Sequence, residues 1–109
     1  MDVRERIGKG EKMIESSVSG ITFCNVPLEL WNELNSGVEV TLKREPTNKW
    51  DKNAIEVIYK GYRLGYLERE VAMRLASQMD HGLIVTGKVM GRHNTPKDRP
   101  VLALGIETK

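Results

Sequence analysis

Apolar and polar residues alternate most cleanly where Val38, Val40 and Leu42 interleave with Glu39, Thr41 and Lys43, the period-two pattern of a strand with one buried face. Ile55, Val57 and Tyr59 continue that pattern after a polar interruption, Lys60-Gly61 marks a hairpin turn, and Tyr62 to Leu67 returns as the next strand. Ser17 to Cys24 reads as a strand on Val18, Ile21 and Phe23, and Leu83–Val89 and Val101–Ile106 read as two more. Helical spacing appears twice. Leu28, Trp31 and Leu34 follow Asn25-Val26-Pro27, with Pro27 in the first turn where its missing N–H costs nothing, and Gly37 ends a short helix in which Trp31 is core. Glu68 to His81 carries Val71, Leu75 and Met79 four apart, with Ala72 and Ala76 widening the stripe and Gly82 stopping it. Residues 1–15 show no sustained apolar period and read as a flexible arm or a short frayed helix, and Gly91 to Pro100 reads as a mobile loop.

The predicted order is β, short α, β, β, β, α, β, β. Three consecutive strands joined by short turns exclude a parallel sheet, which needs helical crossovers. The expected fold is mostly β with two helices: a six-stranded, OB-like antiparallel barrel with the helix Glu68–His81 packed on it. At 109 residues the chain is long enough for one core, so the expected organisation is an arm over 1–15 and a single domain over 16–109.

Composition narrows the picture by exclusion. A net charge of +2 is too small for a protein that coats nucleic acid, so any such binding must use a local patch. The one cysteine, Cys24, excludes an internal disulfide and a cysteine-based zinc site. No apolar run approaches the roughly 20 residues that cross a bilayer, and no signal-peptide core follows Met1, so a cytoplasmic, monomeric domain away from the membrane is expected. It can equally be one module of a longer protein.

Candidate chemistry concentrates between the third and fourth predicted elements. His81 and His93 lie on either side of a strand without a Ser or Cys nucleophile pattern beside them, and no spacing suits a metal or a phosphate-cradling Gly loop. The expectation is no catalysis, no metal and no cofactor. The run Arg44 to Asn53 is crowded instead with Lys49, Lys52, two Asn, Asp51 and Trp50, more than a bare connection requires. Trp50, flanked by charges, cannot be buried without burying them too. It could stack a base while Asp51 accepts a hydrogen bond from a hydroxyl, and Lys43, Arg44, Lys49 and Lys52 could meet phosphate. Asp51 and Asn53 are also the residues a turn uses to bond its own backbone, and the sequence leaves both readings open.

Val18-Ser-Gly-Ile-Thr-Phe23, the run Leu42 to Val57, and Leu64-Gly65-Tyr66-Leu67 followed by Ala72, Leu75 and Ala76 together resemble a HIRAN domain. The resemblance spans about Val18 to Val89, and the central segment matches at almost every position. Such domains stand at the N-termini of eukaryotic SWI2/SNF2-type fork-remodelling translocases and in small bacterial proteins, alone or beside nuclease or helicase modules. The resemblance implies a modified OB-like barrel of six strands and two helices, a role in DNA repair, and capture of the 3′ end of single-stranded DNA with a helicase or nuclease as partner.

Carried over by position, the resemblance makes Phe23 and Trp50 the pair that stacks on the terminal bases and Asp51 the acceptor for the free 3′-hydroxyl. Asn48 would brace the loop, and Tyr66 and Arg69 would lie near phosphates. Phe23 and Trp50 stand where eukaryotic members have tyrosines, which keeps stacking and removes a hydroxyl, and Thr22 stands where an arginine can reach phosphate. The competing expectation is a protein-interaction domain on the same scaffold without end capture, with Trp50 packed under its loop and Phe23 inside the barrel.

Overall fold

A computed structural model describes residues 5–8, 11–21, 26–94 and 100–108 of the chain. Among them, the elements run β1 (Glu5–Gly8), β2 (Glu11–Ser19), α1 (Leu28–Glu33), β3 (Glu39–Arg44), β4 (Ile55–Tyr59), β5 (Tyr62–Leu67), α2 (Arg69–Asp80), β6 (Val85–Asn94) and β7 (Pro100–Thr108). All pairings are antiparallel in the order β2-β5-β4-β3-β6-β7, and β7 pairs back onto β2. Six strands therefore close a barrel, as expected from the sequence.

β1 stands outside that ring. Lys12 to Ile14 pair with β1 and also with β7, so these two strands occupy opposite edges of β2. Val18 pairs with Leu67 of β5 and with Leu102 of β7, which puts β5 on the same edge as β1. β1 thus extends the edge that β5 leaves unpaired. The expectation of a flexible arm over 1–15 is corrected here: residues 5–8 and 11–15 are strand. The signal was hidden because an inward position of β2 holds a polar residue, Ser16, between the buried Ile14 and Val18. Its hydroxyl donates to the Ser17 carbonyl at 2.9 Å and accepts from the Glu68 N–H at 3.2 Å, so burial leaves it satisfied.

The strand expected over Ser17–Cys24 ends at Ser19, before Gly20. Thr22, Phe23 and Cys24 lie outside the described residues. The loop expected over Gly91–Pro100 is also shorter, because β6 runs through Asn94 and pairs with β7 down to Asn94↔Pro100. In α1 the cap is Pro27, Leu30 and Trp31 are buried, and Leu28 is exposed although its spacing from Trp31 suggested otherwise.

The core is built from the inward faces: Val40 and Leu42 of β3, Ile55 and Val57 of β4, Leu64 and Leu67 of β5, and Leu102, Leu104 and Ile106 of β7. Helix α2, one residue shorter at each end than expected, adds Val71, Ala72, Leu75 and Ala76, with Met79 half-buried against them. The Lys60-Gly61 turn has positive φ at both residues, +49° and +83°, the twist that tight hairpins favour. The seam between β2 and β5 is short: only Val18↔Leu67 and Ser19↔Tyr66 pair across it. Gly65 makes that approach feasible, since a Cβ there would overlap the Ser19 carbonyl and stand 2.8 Å from Val18 Cγ1.

Candidate functional site

The loop joining β3 to β4 is closed by its own polar groups. The Glu45 N–H donates to the Ala54 carbonyl at 2.9 Å, and the Ala54 N–H donates to the Asp51 carbonyl at 3.1 Å. Asn48 Oδ1 accepts from the N–H groups of both Trp50 and Asp51 at 2.9 Å, and Asp51 Oδ1 accepts from the Asn53 N–H at 2.9 Å. These side-chain bonds replace the secondary structure that the segment lacks. They fix the backbone of Trp50 while its ring remains 85% exposed. An indole held in water on a well-tied loop gains little for the fold of the isolated chain.

Beside that ring lies a cleft of about 250 Å³ lined by Ser19, Asn48, Trp50, Asp51, Ala54, Tyr66, Leu67 and Arg69. Three elements build it: the β3–β4 loop, the β2–β5 seam, and the first residue of α2. Its chemistry is mixed. Asp51 presents a carboxylate with one oxygen committed to Asn53, and Arg69 brings a cation at the positive end of a helix. Among the sequence candidates, Asn48, Trp50, Asp51, Tyr66 and Arg69 are therefore brought together.

Lys43, Arg44 and Lys52 are not part of that lining. Lys43 and Arg44 are consecutive on β3, so they point to opposite faces. Lys43 is exposed and pairs across the sheet with Glu56, whereas Arg44 shares the face of buried Val40 and Leu42. The Arg44 guanidinium donates to Asp80 at 2.9 and 3.1 Å, to the Ala54 carbonyl at 2.8 Å and to the Lys52 carbonyl at 2.9 Å. Its side chain is 13% exposed. Strand alternation thus separates Arg44 from Lys43, which were expected to meet phosphate together, and directs Arg44 to Asp80 and the loop carbonyls. Lys52 is exposed on the loop, and Phe23 lies outside the described residues.

Sequence reasoning missed Ser19, Ala54 and Leu67. Ser19 and Leu67 reach the cleft through the β2–β5 pairing, a long-range register that no local pattern encodes. It also missed the polar layer behind the wall. Tyr66 Oη donates to Glu45 Oε2 at 2.7 Å and accepts from Arg63 Nη1 at 2.8 Å, while Asn48 Nδ2 donates to Glu45 Oε1 at 3.5 Å. The Arg63 guanidinium also lies 5.6 Å from the centre of the Tyr66 ring. The Tyr66 hydroxyl is thereby committed away from a ligand, leaving its ring as the surface it offers.

Glu45 is held below the usual carboxylate range, chiefly by the Tyr66 hydrogen bond, whereas burial and then the charge of Glu45 push Glu56 above it. A carboxyl raised on folding favours the native state while protonated, and that contribution is lost as pH rises through the raised value. Glu56→Gln, which is neutral throughout, should therefore melt higher than the wild type at pH 7, with the gap closing near about pH 4, the ordinary carboxylate range. Thermal melts across that interval check this, and a gap independent of pH would refute it.

Among the described residues, no group of three His, Cys, Asp or Glu is placed to hold a metal ion, and no helix is long and apolar enough to cross a membrane. Comparison with known proteins adds a family. The sequence pattern of the HIRAN domain matches residues 12–105. A Fanconi-associated nuclease 1 homolog from Oryza sativa is 45% identical over 64 residues, covering 54% of this chain and 7% of the relative. The helicase-like transcription factor of Oryctolagus cuniculus is 47% identical over 51 residues, 46% of this chain and 5% of the relative. The crystal structure of the HIRAN domain of human HLTF superposes with a TM-score of 0.64 at 25% identity, covering 88% of this chain and 74% of that one. The chain thus corresponds to a small part of the two large proteins.

Proposed function

The chain belongs to the HIRAN domain family, and from that premise we propose that it is a non-catalytic module that binds single-stranded DNA at a free 3′ end. The observation that carries this reading is Trp50, 85% exposed on a hydrogen-bonded loop at the rim of a cleft that also holds the Asp51 carboxylate and Arg69. An exposed aromatic offers a stacking face to any base. A carboxylate accepts from a hydroxyl and repels a phosphate, so the same cleft favours an unmodified end. The protein-interaction alternative places Trp50 under its loop, and the exposed ring argues against it. The names of the relatives, a nuclease and a helicase-like factor, support a partner of one of those two kinds.

Trp50 fluorescence provides the test, with buried Trp31 as a constant background. A short strand with a free 3′-hydroxyl should quench Trp50 and bind more tightly than the same strand with a 3′-phosphate or a blunt duplex. With two to four phosphates neutralised, log K should fall against log salt with a slope of about −1.4 to −2.8, at ~0.7 per phosphate. Equal binding to hydroxyl and phosphate ends would remove end capture, and a slope near zero would remove the phosphate contacts.

A further inference from the structure

Helix α2 meets the candidate site at both ends. Arg69, its first residue, lines the cleft, and Asp80, its last, receives Arg44 from the strand that leads into the Trp50 loop. Arg44 Nε and Nη2 grip the Asp80 carboxylate as a fork, while Nη1 and Nη2 reach the carbonyls of Ala54 and Lys52. Four of the five guanidinium N–H groups are thus committed. Those two carbonyls flank Asn53, whose own N–H is held by Asp51. The guanidinium therefore ties the limb of the loop that carries Asp51 to the far end of the helix that carries Arg69.

Asp80 is poorly placed for the helix alone. An anion in the last turn meets the negative end of the helix dipole, and no basic residue of that turn offsets it. Its carboxyl is nevertheless held below the ordinary range, first of all by the Arg44 hydrogen bond. The contact thus accounts for the placement of both side chains, and a lysine could not reproduce it: an ammonium has no planar fork to serve a carboxylate and two carbonyls together.

We propose that Arg44 and Asp80 are positioning residues for strand capture, setting the Trp50–Asp51 loop against Arg69 from behind without touching nucleic acid. The inference rests on the cleft being the strand-binding site, and it reverses the role that the sequence suggests for Arg44. The two roles differ in sign. If Arg44 were a phosphate contact restrained by Asp80, removing the Asp80 charge would free it and tighten binding. As a tether it is loosened by the same change, and binding weakens.

The test compares the wild type with Asp80→Asn and Arg44→Lys, titrated with a short 3′-hydroxyl strand at several salt concentrations. Asp80 is 48% exposed, so its variant keeps the fold. Each variant should bind about two- to fivefold more weakly, the scale of a partly exposed ion pair, with the salt slope unchanged. The double variant should bind no worse than Arg44→Lys, because both changes break one contact. Tighter binding by Asp80→Asn, or wild-type binding by Arg44→Lys, would overturn the proposal. Hydrogen exchange at the amides of Trp50, Asp51 and Asn53, measured without DNA, separates this from the parent reading. These amides should exchange faster in both variants, and unchanged exchange would also overturn the tether. Faster exchange in a domain whose wild type binds no strand would refute strand capture and leave the tether standing.

Discussion

Gly65→Ala is expected to lower stability by about 3 kcal/mol or more, at or beyond the upper end for overpacked sites. The added Cβ would overlap the Ser19 carbonyl oxygen, a backbone atom that no rotamer change can move aside, and would press Val18 Cγ1 at 2.8 Å. Relief requires β2 and β5 to part, and they are joined by only two residue pairs. The barrel therefore opens at this short seam. Ser19, Tyr66 and Leu67 flank that seam and also line the cleft, so the folded fraction should lose binding as well. A urea midpoint measures the first effect and Trp50 quenching the second. Gly91→Ala is the control: nothing lies within 4 Å of its Cβ position. A Gly65→Ala variant as stable as that control would mean that the close approach at the seam does not exist.

Trp50→Ala and Asp51→Ala are expected to weaken binding in different patterns. The indole is almost wholly in water, so its removal should leave stability unchanged. Binding should fall by about 1–3 kcal/mol for each base stacked, or roughly five- to 150-fold, whether the 3′ end is free or blocked. The Asp51 carboxylate acts only where it meets a donor. Its loss should cost ~1.5–3 kcal/mol for a free 3′-hydroxyl and leave a 3′-phosphate strand almost unaffected. Because Asp51 Oδ1 also holds the Asn53 N–H, Asp51→Asn is the companion variant. It keeps that acceptor while removing the charge, and should raise affinity for a 3′-phosphate end. Parallel losses for both end types in Asp51→Ala would indicate that Asp51 only shapes the loop.

Period-two alternation located β3 and β4, because each has one face in the core, and the Lys60-Gly61 turn located β5 after them. The spacing of Val71, Leu75 and Met79 located α2 for the corresponding helical reason. The polar β3–β4 loop was legible because its bonds are local: Asn48 to Trp50 and Asp51, and Asp51 to Asn53, all span three residues or fewer. Where polarity and burial part company, the pattern misleads. Ser16 is buried with its hydroxyl satisfied by the Ser17 carbonyl and the N–H of Glu68, the cap of α2, and β2 was consequently read as starting too late.

The sequence by itself determined which residues could do chemistry: an aromatic flanked by charges, a neighbouring carboxylate, and turn-forming amides in a motif that carries its own family resemblance. Tertiary structure alone decided which of them share a cleft. Pairing of β2 with β5 delivers Ser19 and Leu67, and the packing of α2 delivers Arg69; both contacts lie far apart along the chain. The same geometry separates Lys43 from Arg44, neighbours in sequence, because successive strand residues face opposite sides of the sheet. One cation remains at the surface, while the other turns inward to hold the loop from behind.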